Sequence, residues 1–555
     1  MYAFAPPAVL RGTDLTLKKS SLNCCLARAP VRAVADRPTQ RRANVAATAR
    51  NGAATSTTGF AAVDDEVMDD RFWDLTVGRQ SKIVCTIGPK TCDIDSIEML
   101  AETGMDIVRL NMSHGTHEWH RGVIERVREV NGKGRFNLGL LLDTKGPEVR
   151  SGDLKAPIKV KRGQTFVWTV RKDFENFDEF TVDVSYDDFV NDVKVGDTLL
   201  VDGGMCSFLC TEITDTDVVS ECIDGGTLTS RRHLNVRGKS ASLPAITAKD
   251  WEDIKFGMEM NVDFYALSFV KHEDDVGTLK AYLREHDCQA LVLSKIESAD
   301  AVKRLRPILE VSDGAMVARG DLGAEIPIED VPLFQDEIVN INRALRKPTI
   351  VATHMLESMI TYPTPTRAEV ADITEAVRQG ADATMLSGET ANGAYPYKAL
   401  GVMATVAESV VSQDSALSES DLFSPISQQR EMEGQDARLN LAYGASTMAS
   451  RLNVAAIVVF TRVGTYAKLV SSTRPRCPVI AFTPDEDLVR RMTLFWGVKP
   501  FHLSFSEDPE ETIEKAVNLM LEKGLTSTGD TLVMTSDMLV KNSDTVNTIQ
   551  VRTVH

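Results

Sequence analysis

LSKIESADAVKRLRPILEVSDGAMVARGDLGAEI, residues 293–326, carries charged side chains at the ends of two apolar runs. The first run ends in Lys295, and Glu297 follows two residues later. After a stretch about as long as one helix, a second apolar run, GAMVA, is followed directly by the tripeptide RGD at 319–321. Burying an unpaired charge is costly, so these groups are expected to be paired or to bind a ligand. An apolar run, a helix and a second apolar run are the parts of a parallel strand–helix–strand unit.

Eight such runs occur between residues 82 and 388, and helical patterns separate most of them. The runs are KIVCTI (82–87), MDIVRL (105–110), NLGLLLD (137–143), DFYALSFV (263–270), ALVLSKI (290–296), GAMVA (314–318), PTIVAT (348–353) and DATMLSG (382–388). They are short, nearly continuous in apolar character and rich in Val, Ile and Leu, which is typical of parallel strands buried on both faces. Eight such units predict an α/β fold, a closed (β/α)8 TIM barrel. An open doubly wound sheet is the alternative.

Two further segments interrupt or follow this alternation. About 120 residues between the third and fourth runs contain short β-branched segments with Gly and Asp turns, which predicts an inserted all-β domain. It would project from the end of strand three, where barrel active sites lie, so a lid is its expected role. After about residue 412 the pattern predicts a smaller C-terminal α/β domain. The predicted boundaries are 78–146 and 244–412 for the catalytic barrel, 147–243 for the lid and 413–555 for the C-terminal domain.

Composition restricts the class of protein. Of the 555 residues, 43% are hydrophobic and 25% are charged, as in soluble globular proteins. The formal net charge of -17 argues against a partner that is nucleic acid, and no run of about 18 apolar residues could span a membrane. The nine cysteines include no C-x-x-C pair, so structural zinc and a disulfide framework are not expected.

The first sixty residues differ from the rest of the chain. They contain nine Lys or Arg residues and two acids, Asp14 and Asp36, and are rich in Ala, Arg, Ser and Thr. This composition predicts a transit peptide over residues 1–60, disordered and excluded from the fold. We expect the chloroplast stroma as the destination. The alternatives are a mitochondrion, or a disordered tail without an address on a cytoplasmic protein.

Polar and charged residues follow at least seven of the eight predicted strands, and in a barrel these ends meet at one rim. In strand order from the second strand, they are Arg109, Asn111 and Ser113; Asp143, Thr144 and Arg150; Ser268 and Lys271; Lys295 and Glu297; Arg319 and Asp321; Thr353; Ser387 and Glu389. The charges of the opening stretch therefore belong to one ring of groups around a common pocket.

The residue types in this ring indicate a phosphorylated substrate. Arg109, Arg150 and Lys295 can surround an anion, and Glu297 and Asp321 are hard oxygen ligands suited to Mg²⁺ that also binds a phosphate. Gly320 opens a predicted turn, GDLGAEI, whose backbone N–H groups can hold an anion. The oxygens of Asn111, Ser113, Asp143 and Thr144 suit a monovalent cation. Together these features favour phosphoryl transfer. A lysine that forms a Schiff base, as in an aldolase, is the alternative enzyme.

The motifs resemble those of the pyruvate kinases. The matching stretches are CTIGP, VRLNMSHGTHEWH, LLDTKGPEVRSG, SFVK, SKIES, MVARGDLGAEIP, ATHMLESM, PTPTRAEVADI and MLSGETANG. LNVRGKSASLPAIT and the residues that follow it are most similar to the plastid branch. The resemblance covers residues 82 to about 400, and it implies the reaction of phosphoenolpyruvate with ADP to give pyruvate and ATP, with Mg²⁺ and K⁺ as cofactors.

The resemblance also implies a role for each rim residue. The catalytic set would be Lys295, Arg109, Thr353 and Ser387. Phosphoenolpyruvate would be bound by Arg109, Lys295, Gly320, Asp321 and Thr353. The nucleotide would contact Asn111, His114, Arg150 and, from the lid, Arg237. Mg²⁺ would be held by Glu297 and Asp321, and K⁺ by Asn111, Ser113, Asp143 and Thr144. Glu148 is the residue type that accompanies K⁺ dependence in the family.

Three further expectations concern single residues and partners. Arg319 is predicted to be a structural ion-pair partner that orients Glu297. The chain is expected to form a homo- or hetero-oligomer, a tetramer or larger, with neither nucleic acid nor membrane as a partner. A regulatory or structural subunit of a hetero-oligomeric plastid pyruvate kinase, with low activity alone, is the alternative function.

Overall fold

The structure is a computed structural model that describes residues 78–172, 178–238, 243–413, 437–540 and 544–555. The predicted transit peptide, residues 1–60, lies outside the described residues. The strands in chain order are β1 (Lys82–Thr86), β2 (Ile107–Asn111), β3 (Gly139–Asp143), β4 (Ile158–Val160), β5 (Thr165–Thr169), β6 (Thr181–Asp183), β7 (Thr198–Val201), β8 (Cys206–Ile213), β9 (Asp217–Asp224), β10 (Gly226–Leu228), β11 (Leu234–Val236), β12 (Phe264–Leu267), β13 (Leu291–Ile296), β14 (Gly314–Ala318), β15 (Thr349–Ala352), β16 (Ala383–Leu386), β17 (Ala456–Phe460), β18 (Val479–Thr483), β19 (Val498–His502), β20 (Thr531–Val540) and β21 (Asp544–Thr553).

Helices separate most of the strands. In chain order they are α1 (Ile94–Thr103), α2 (His117–Gly132), α3 (Phe189–Asp192), α4 (Ala248–Glu259), α5 (Glu273–Glu285), α6 (Ala299–Lys303), α7 (Leu305–Val311), α8 (Arg319–Glu325), α9 (Val331–Ala344), α10 (Arg367–Gln379), α11 (Gly388–Ala391), α12 (Pro396–Gln413), α13 (Ala437–Leu452), α14 (Thr465–Ser472), α15 (Glu486–Arg491) and α16 (Pro509–Glu522). Within the described ranges, 3₁₀ turns span Asp202–Gly204, Ile328–Asp330, Glu357–Ile360 and Met492–Leu494.

Eight parallel strands close into a barrel in the order β1-β16-β15-β14-β13-β12-β3-β2. All eight predicted apolar runs form these strands, so the TIM barrel is confirmed and the open sheet is wrong. The closure explains the continuous apolar runs, because each strand has one face toward the barrel interior and the other toward the helices. An inner layer of buried side chains, including Ile107, Leu141, Ala266, Leu293 and Met385, comes from most of the strands.

The insertion between β3 and β12 consists mainly of strands, as predicted. Strands β5 to β9 and β11 form a six-stranded sheet in the order β11-β7-β8-β9-β5-β6, and β4 pairs with β10. Its core contains Phe166, Trp168 and Phe208, whose rings lie 4.9–5.3 Å apart. The four-residue helix α3 is the element that an all-β prediction does not include.

The C-terminal α/β fold is also confirmed. Its five-stranded sheet has the order β19-β18-β17-β20-β21, with β21 antiparallel to β20 at one edge. The apolar runs VAAIVVFT, PVIAFT and DTLVMTS of the sequence correspond to β17, β18 and β20. Among the described residues, we find no helix long and apolar enough to cross a membrane.

Candidate active site

Charged side chains point into the barrel at the carboxyl ends of its strands because side chains alternate between the two faces of a strand. Side chains two residues apart point to the same face. Ile107, Leu141, Ala266 and Leu293 belong to the inner layer of the barrel, and the residues two positions later are Arg109, Asp143, Ser268 and Lys295. The same inward face that is apolar in the middle of the barrel is therefore polar at its rim.

Lys295 lies at the centre of this polar layer. Its ammonium donates to Ser268 Oγ at 2.7 Å and lies 3.2 Å from both Asp143 Oδ1 and Glu297 Oε2. Burial alone lowers the pKa of Lys295, but the carboxylates of Asp143, Glu297 and Asp321 outweigh it and raise the pKa above its usual value. The lysine is therefore held as a cation in a site that excludes most water.

Asp143 connects this lysine to the second buried cation. Arg109 donates from Nε to Asp143 Oδ2 at 2.7 Å and from its terminal nitrogen to Thr86 Oγ1 at 2.9 Å. Burial raises the pKa of Asp143, yet Lys295 and Arg109 together bring the pKa below its ordinary range. Asp143 is thus ionised, and two cations are fixed on either side of it.

Glu297 has one oxygen that no hydrogen bond satisfies. Its Oε1 accepts the backbone N–H of Phe269 at 2.6 Å, whereas the buried Oε2 lies 3.2 Å from the Lys295 ammonium and has no hydrogen-bond partner among the described residues. Burial raises the pKa of Glu297. An incompletely satisfied buried carboxylate oxygen fits a position where a cation is bound.

Asp321 is the second predicted metal ligand. It lies near the start of α8, its side chain is 39% exposed, and its Oδ1 is 3.5 Å from His233 Nδ1 of the inserted domain. No group of three or more His, Cys, Asp or Glu side chains suited to a metal occurs in the described part of the chain. Two carboxylates nevertheless suit Mg²⁺, which usually completes its coordination with water and substrate phosphate.

The GDLGAEI stretch and Arg319 differ from their predictions. The predicted turn is a helix, α8, that begins at Arg319. Arg319 does form a structural ion pair, but its partner is Asp372 at 2.7 Å rather than Glu297. Its guanidinium also donates to the backbone oxygen of Thr353 at 2.6 Å. The prediction that it orients Glu297 is wrong, since Arg319 fixes the backbone after β15 instead.

Thr353 has a backbone conformation that is rare for its residue type. Its φ is 76°, and His354 follows with φ 57°. A β-branched residue in the left-handed region is strained by about 1–3 kcal/mol, and such strain is found preferentially at functional sites. Gly320 accommodates this turn, because a Cβ atom there would come 2.9 Å from Thr353 Cγ2.

Other predicted residues lie outside this buried network. Arg150 pairs with Glu148 at 2.6 Å and donates to the Arg231 backbone oxygen, while His114 and Arg237 are exposed. Asn111 Oδ1 accepts the backbone N–H of Ser113 at 3.1 Å.

Two predicted residues next to the network make hydrogen bonds through their backbone atoms. Thr144 accepts the Ser268 hydroxyl through its backbone oxygen at 2.6 Å. The Ser387 N–H donates to Glu389 Oε2 at 2.7 Å, and Glu389 Oε1 accepts the Leu356 N–H at 3.0 Å. Glu389 therefore links the ends of β15 and β16.

The contacts of His233 and Ser268 are missed by sequence reasoning. His233 approaches the rim from the inserted domain, and no local pattern indicates which loop residue meets Asp321. Ser268 was recognisable as a polar residue at a strand end, but its bond to Lys295 depends on the barrel register. A cavity of about 560 Å³, measured with its open mouth, lies beside His233 between the insertion and the rim.

Comparison with known proteins is consistent with this geometry. The family model "Pyruvate kinase, barrel domain" matches residues 78–400, and "Pyruvate kinase, alpha/beta domain" matches residues 440–552. The chain belongs to the pyruvate kinase family. The resemblance carried by the sequence motifs is therefore confirmed, and the Schiff-base alternative is set aside.

Similar pyruvate kinases come from plants and bacteria. The chain is 49% identical over 482 residues to plastidial pyruvate kinase 2 of Arabidopsis thaliana, covering 86% of this chain and 82% of the relative. It is 50% identical over 483 residues to pyruvate kinase isozyme G, chloroplastic, of Nicotiana tabacum, covering 86% and 84% of the two chains. A pyruvate kinase of Bacillus licheniformis is 39% identical over 480 residues, covering 86% and 80%.

Proposed function

We propose that Lys295 is the group with which this pyruvate kinase stabilises the phosphoryl group as it passes from phosphoenolpyruvate to ADP, giving pyruvate and ATP. The observation that carries the proposal is the position of the Lys295 ammonium, buried at the rim and 3.2 Å from both Asp143 and Glu297. A positive charge that is already fixed in a site with little water stabilises the negative charge that moves during phosphoryl transfer. The site needs little reorganisation during that step.

Reductive trapping of a pyruvate adduct distinguishes this role of Lys295 from the formation of a Schiff base. The enzyme is mixed with pyruvate and reduced with borohydride, and the peptide that contains Lys295 is then weighed by mass spectrometry. An unmodified lysine is expected, because a cation paired with two carboxylates is a poor nucleophile. A reduced pyruvate adduct on Lys295 would contradict the assigned role.

The other substrate contacts are assigned to groups around Lys295. Arg109 would hold the phosphate, and Thr353 with the backbone at Gly320 would hold the carboxylate of phosphoenolpyruvate. Asp321 would contribute through the metal, and Ser387 would complete the catalytic set. The contact of Arg319 with the Thr353 backbone supports this arrangement, because it keeps the threonine in the conformation that the site uses.

Thr353→Gly is expected to lower kcat/KM for phosphoenolpyruvate at least about tenfold, because a hydrogen bond to a charged group is lost. The free energy of unfolding should change by less than about 1 kcal/mol, because relief of the left-handed strain offsets the flexibility of glycine. Steady-state kinetics and thermal unfolding measure the two quantities. Thr353→Ser keeps the hydroxyl and should retain most activity, and equal losses in both variants would contradict the role of the hydroxyl.

The family generally uses Mg²⁺ and K⁺. Glu297 and Asp321 are the residues that would hold Mg²⁺ here, and the unsatisfied Glu297 Oε2 supports this assignment. When bound, the metal supplies positive charge next to the phosphoryl oxygens. Asn111, Ser113, Asp143 and Thr144 would hold K⁺, which suits their carbonyl and hydroxyl oxygens and single carboxylate.

K⁺ is expected to activate the enzyme, and Glu148→Lys is expected to relax that need, because an ammonium group can supply the missing positive charge. Glu148 lies 2.6 Å from Arg150 and 3.9 Å from Lys145, so the loss of their partner must be controlled for. Glu148→Gln removes the same partner without adding a cation and should remain dependent on K⁺. Initial rates in tetramethylammonium buffers test this, and equal rates of the parent enzyme with and without K⁺ would contradict it.

The nucleotide is assigned to the outer part of the rim. Asn111, His114 and Arg150 lie beyond the buried network, and Arg237 belongs to the insertion. The exposure of His114 and Arg237 supports contact with a ligand that enters from solvent. Residues 147–243 would act as a lid, with 78–146 and 244–412 as the catalytic barrel and 413–555 as the C-terminal domain.

The destination and assembly of the enzyme are further proposals. Relatives from Arabidopsis and tobacco carry the words plastidial or chloroplastic in their names, and residues 1–60 have the composition of a transit peptide. We therefore assign the enzyme to the chloroplast stroma rather than to a mitochondrion or the cytoplasm. A homo- or hetero-oligomer, a tetramer or larger, stays a prediction.

A further inference from the structure

A second cavity lies at the end of the barrel opposite the rim, where the barrel meets the C-terminal sheet. It has a volume of about 290 Å³, measured with its open mouth. Pro348 and Asp382, which line it, directly precede β15 and β16, whose other ends carry the residues of the active site. The cavity is therefore separate from the substrate site by the length of the barrel strands.

Most of the charged side chains that line this cavity are positive. Among the described residues, the lining cations are Arg343, Arg346, Lys347, Lys468 and Arg474, and the lining acid is Asp382. Asp382 is already engaged, because its Oδ1 lies 2.8 Å from Arg474 and its Oδ2 accepts the Thr349 N–H at 3.0 Å. Among the described residues, the cavity is therefore lined mainly by cationic side chains.

Part of this cluster has a structural explanation. Lys347 donates to the backbone oxygens of Leu309 and Glu310 near the end of α7, at 2.8 Å and 2.6 Å. Arg474 donates to the Gly380 oxygen at 2.9 Å and lies over the Trp496 ring at 4.7 Å. Cations near helix carboxyl ends interact favourably with the helix dipole. These contacts fix the direction of the side chains, but backbone dipoles do not neutralise full charges.

Lys468 is not explained by such contacts. It is half-buried in α14, and among the residues that the structure describes its ammonium has neither a hydrogen bond nor an ion pair. The acid Asp313 acts on it, but that carboxylate is paired with Lys280 at 2.6 Å and accepts the Val292 N–H at 3.0 Å. A half-buried ammonium without a partner is unusual, since burial of charge is costly.

The Lys468 ammonium also disfavours the charged form of Lys347. Burial, and after it the Lys468 ammonium, lowers the pKa of Lys347 to about 8. Lys347 follows the barrel helix α9, whereas Lys468 belongs to the C-terminal sheet's helix α14. An anion between them would compensate both charges and join the two parts of the protein.

We propose that this cavity binds a small phosphorylated compound, with its phosphate group between Lys347 and Lys468. Phosphate is favoured because it carries up to two negative charges and several acceptor oxygens, which match the two ammonium groups. The proposal does not depend on the pyruvate kinase reaction, because the cavity and the rim share no residues.

Calorimetric titration of the full-length chain with inorganic phosphate, in Mg²⁺-free buffer of low ionic strength, tests the site. Lys468→Gln is expected to weaken binding by roughly tenfold or more, the effect of removing one charged hydrogen-bond donor. Lys468→Arg keeps the charge and should bind within about threefold of the parent. Lys515→Gln removes a half-exposed lysine of α16 that pairs with Glu511 at 2.8 Å, and should bind like the parent.

Two further variants keep the outcome decisive. Folded Lys295→Met should retain the phosphate binding that Lys468→Gln loses, because the substitution is confined to the rim. Ser472→Asp adds a carboxylate to the lining of the cavity and should also weaken binding, which decides the question if Lys468→Gln does not fold. The proposal is overturned if the parent shows no binding up to about 10 mM phosphate, a weak limit for any specific site. It is equally overturned if Lys468→Gln binds like the parent, or if Lys295→Met loses the binding.

Discussion

Replacement of Lys295 by Met is expected to lower kcat by at least about a thousandfold, while the binding of phosphoenolpyruvate changes much less. The reason is that the ammonium matters most as the phosphoryl group is transferred, and a contact that strengthens in the transition state lowers kcat when it is removed. Lys295 is suited to this effect because it is buried and held by Ser268, Asp143 and Glu297. Kinetics with separate measurement of phosphoenolpyruvate binding give the two numbers.

Stability must be measured alongside activity. Loss of the lysine leaves Glu297 without its cation, and removal of one partner from a buried ion pair typically costs about 3–5 kcal/mol. Asp143 keeps Arg109 as a partner, so we expect a lower melting temperature but a folded enzyme. Lys303→Met removes an exposed lysine of α6 that pairs with Asp300 at 2.9 Å, and it should leave both quantities unchanged. Near-normal turnover of folded Lys295→Met would refute the assignment.

Glu297→Gln and Asp321→Asn are each expected to raise the Mg²⁺ concentration needed for half-maximal activity by at least about tenfold. An amide oxygen is a poorer ligand for a hard cation than a carboxylate oxygen. In Glu297→Gln the amide oxygen can still accept the Phe269 N–H. The substitution therefore mainly replaces Oε2, the oxygen that has no hydrogen-bond partner among the described residues. Activity at saturating phosphoenolpyruvate is titrated with Mg²⁺.

A matched pair of controls isolates the metal effect. Asp300→Asn neutralises an exposed carboxylate on the helix that follows Glu297 and should not shift the Mg²⁺ titration. Asp321→Asn tests the contact from His233 as well, so His233→Ala is measured beside it. Unchanged Mg²⁺ titrations for both carboxylate variants would show that the metal is bound elsewhere.

The barrel and the residues of its rim were predictable because each depends on a local pattern. Buried parallel strands have continuous apolar runs, and the strand period carries Arg109, Asp143 and Lys295 to the same inner face. The polar residue at each strand end is therefore visible in the sequence before any partner is known. The contacts of these residues could not be predicted in the same way, because their partners come from neighbouring strands. The local sequence does not specify the register between those strands.

The errors of the sequence reasoning arise from contacts between distant segments. Arg319 was assigned to Glu297, which directly follows the neighbouring strand β13, but its ion-pair partner is Asp372 in α10. GDLGAEI was predicted to be a turn that opens at Gly320. Its first six residues instead belong to helix α8, in which Gly320 lies against Thr353. The cationic cavity could not be foreseen either, because Lys347 and Lys468 are far apart in the chain and meet only when the C-terminal sheet packs on the barrel.

The most direct test of the account is turnover by the purified chain alone. Protein without residues 1–60 is supplied with phosphoenolpyruvate, ADP, Mg²⁺ and K⁺, and pyruvate and ATP are measured in parallel. Equal amounts of both products are expected, and their formation should stop when ADP or Mg²⁺ is omitted. A folded chain that forms neither product, and becomes active only when an unlike subunit is added, would contradict it and favour the regulatory-subunit alternative.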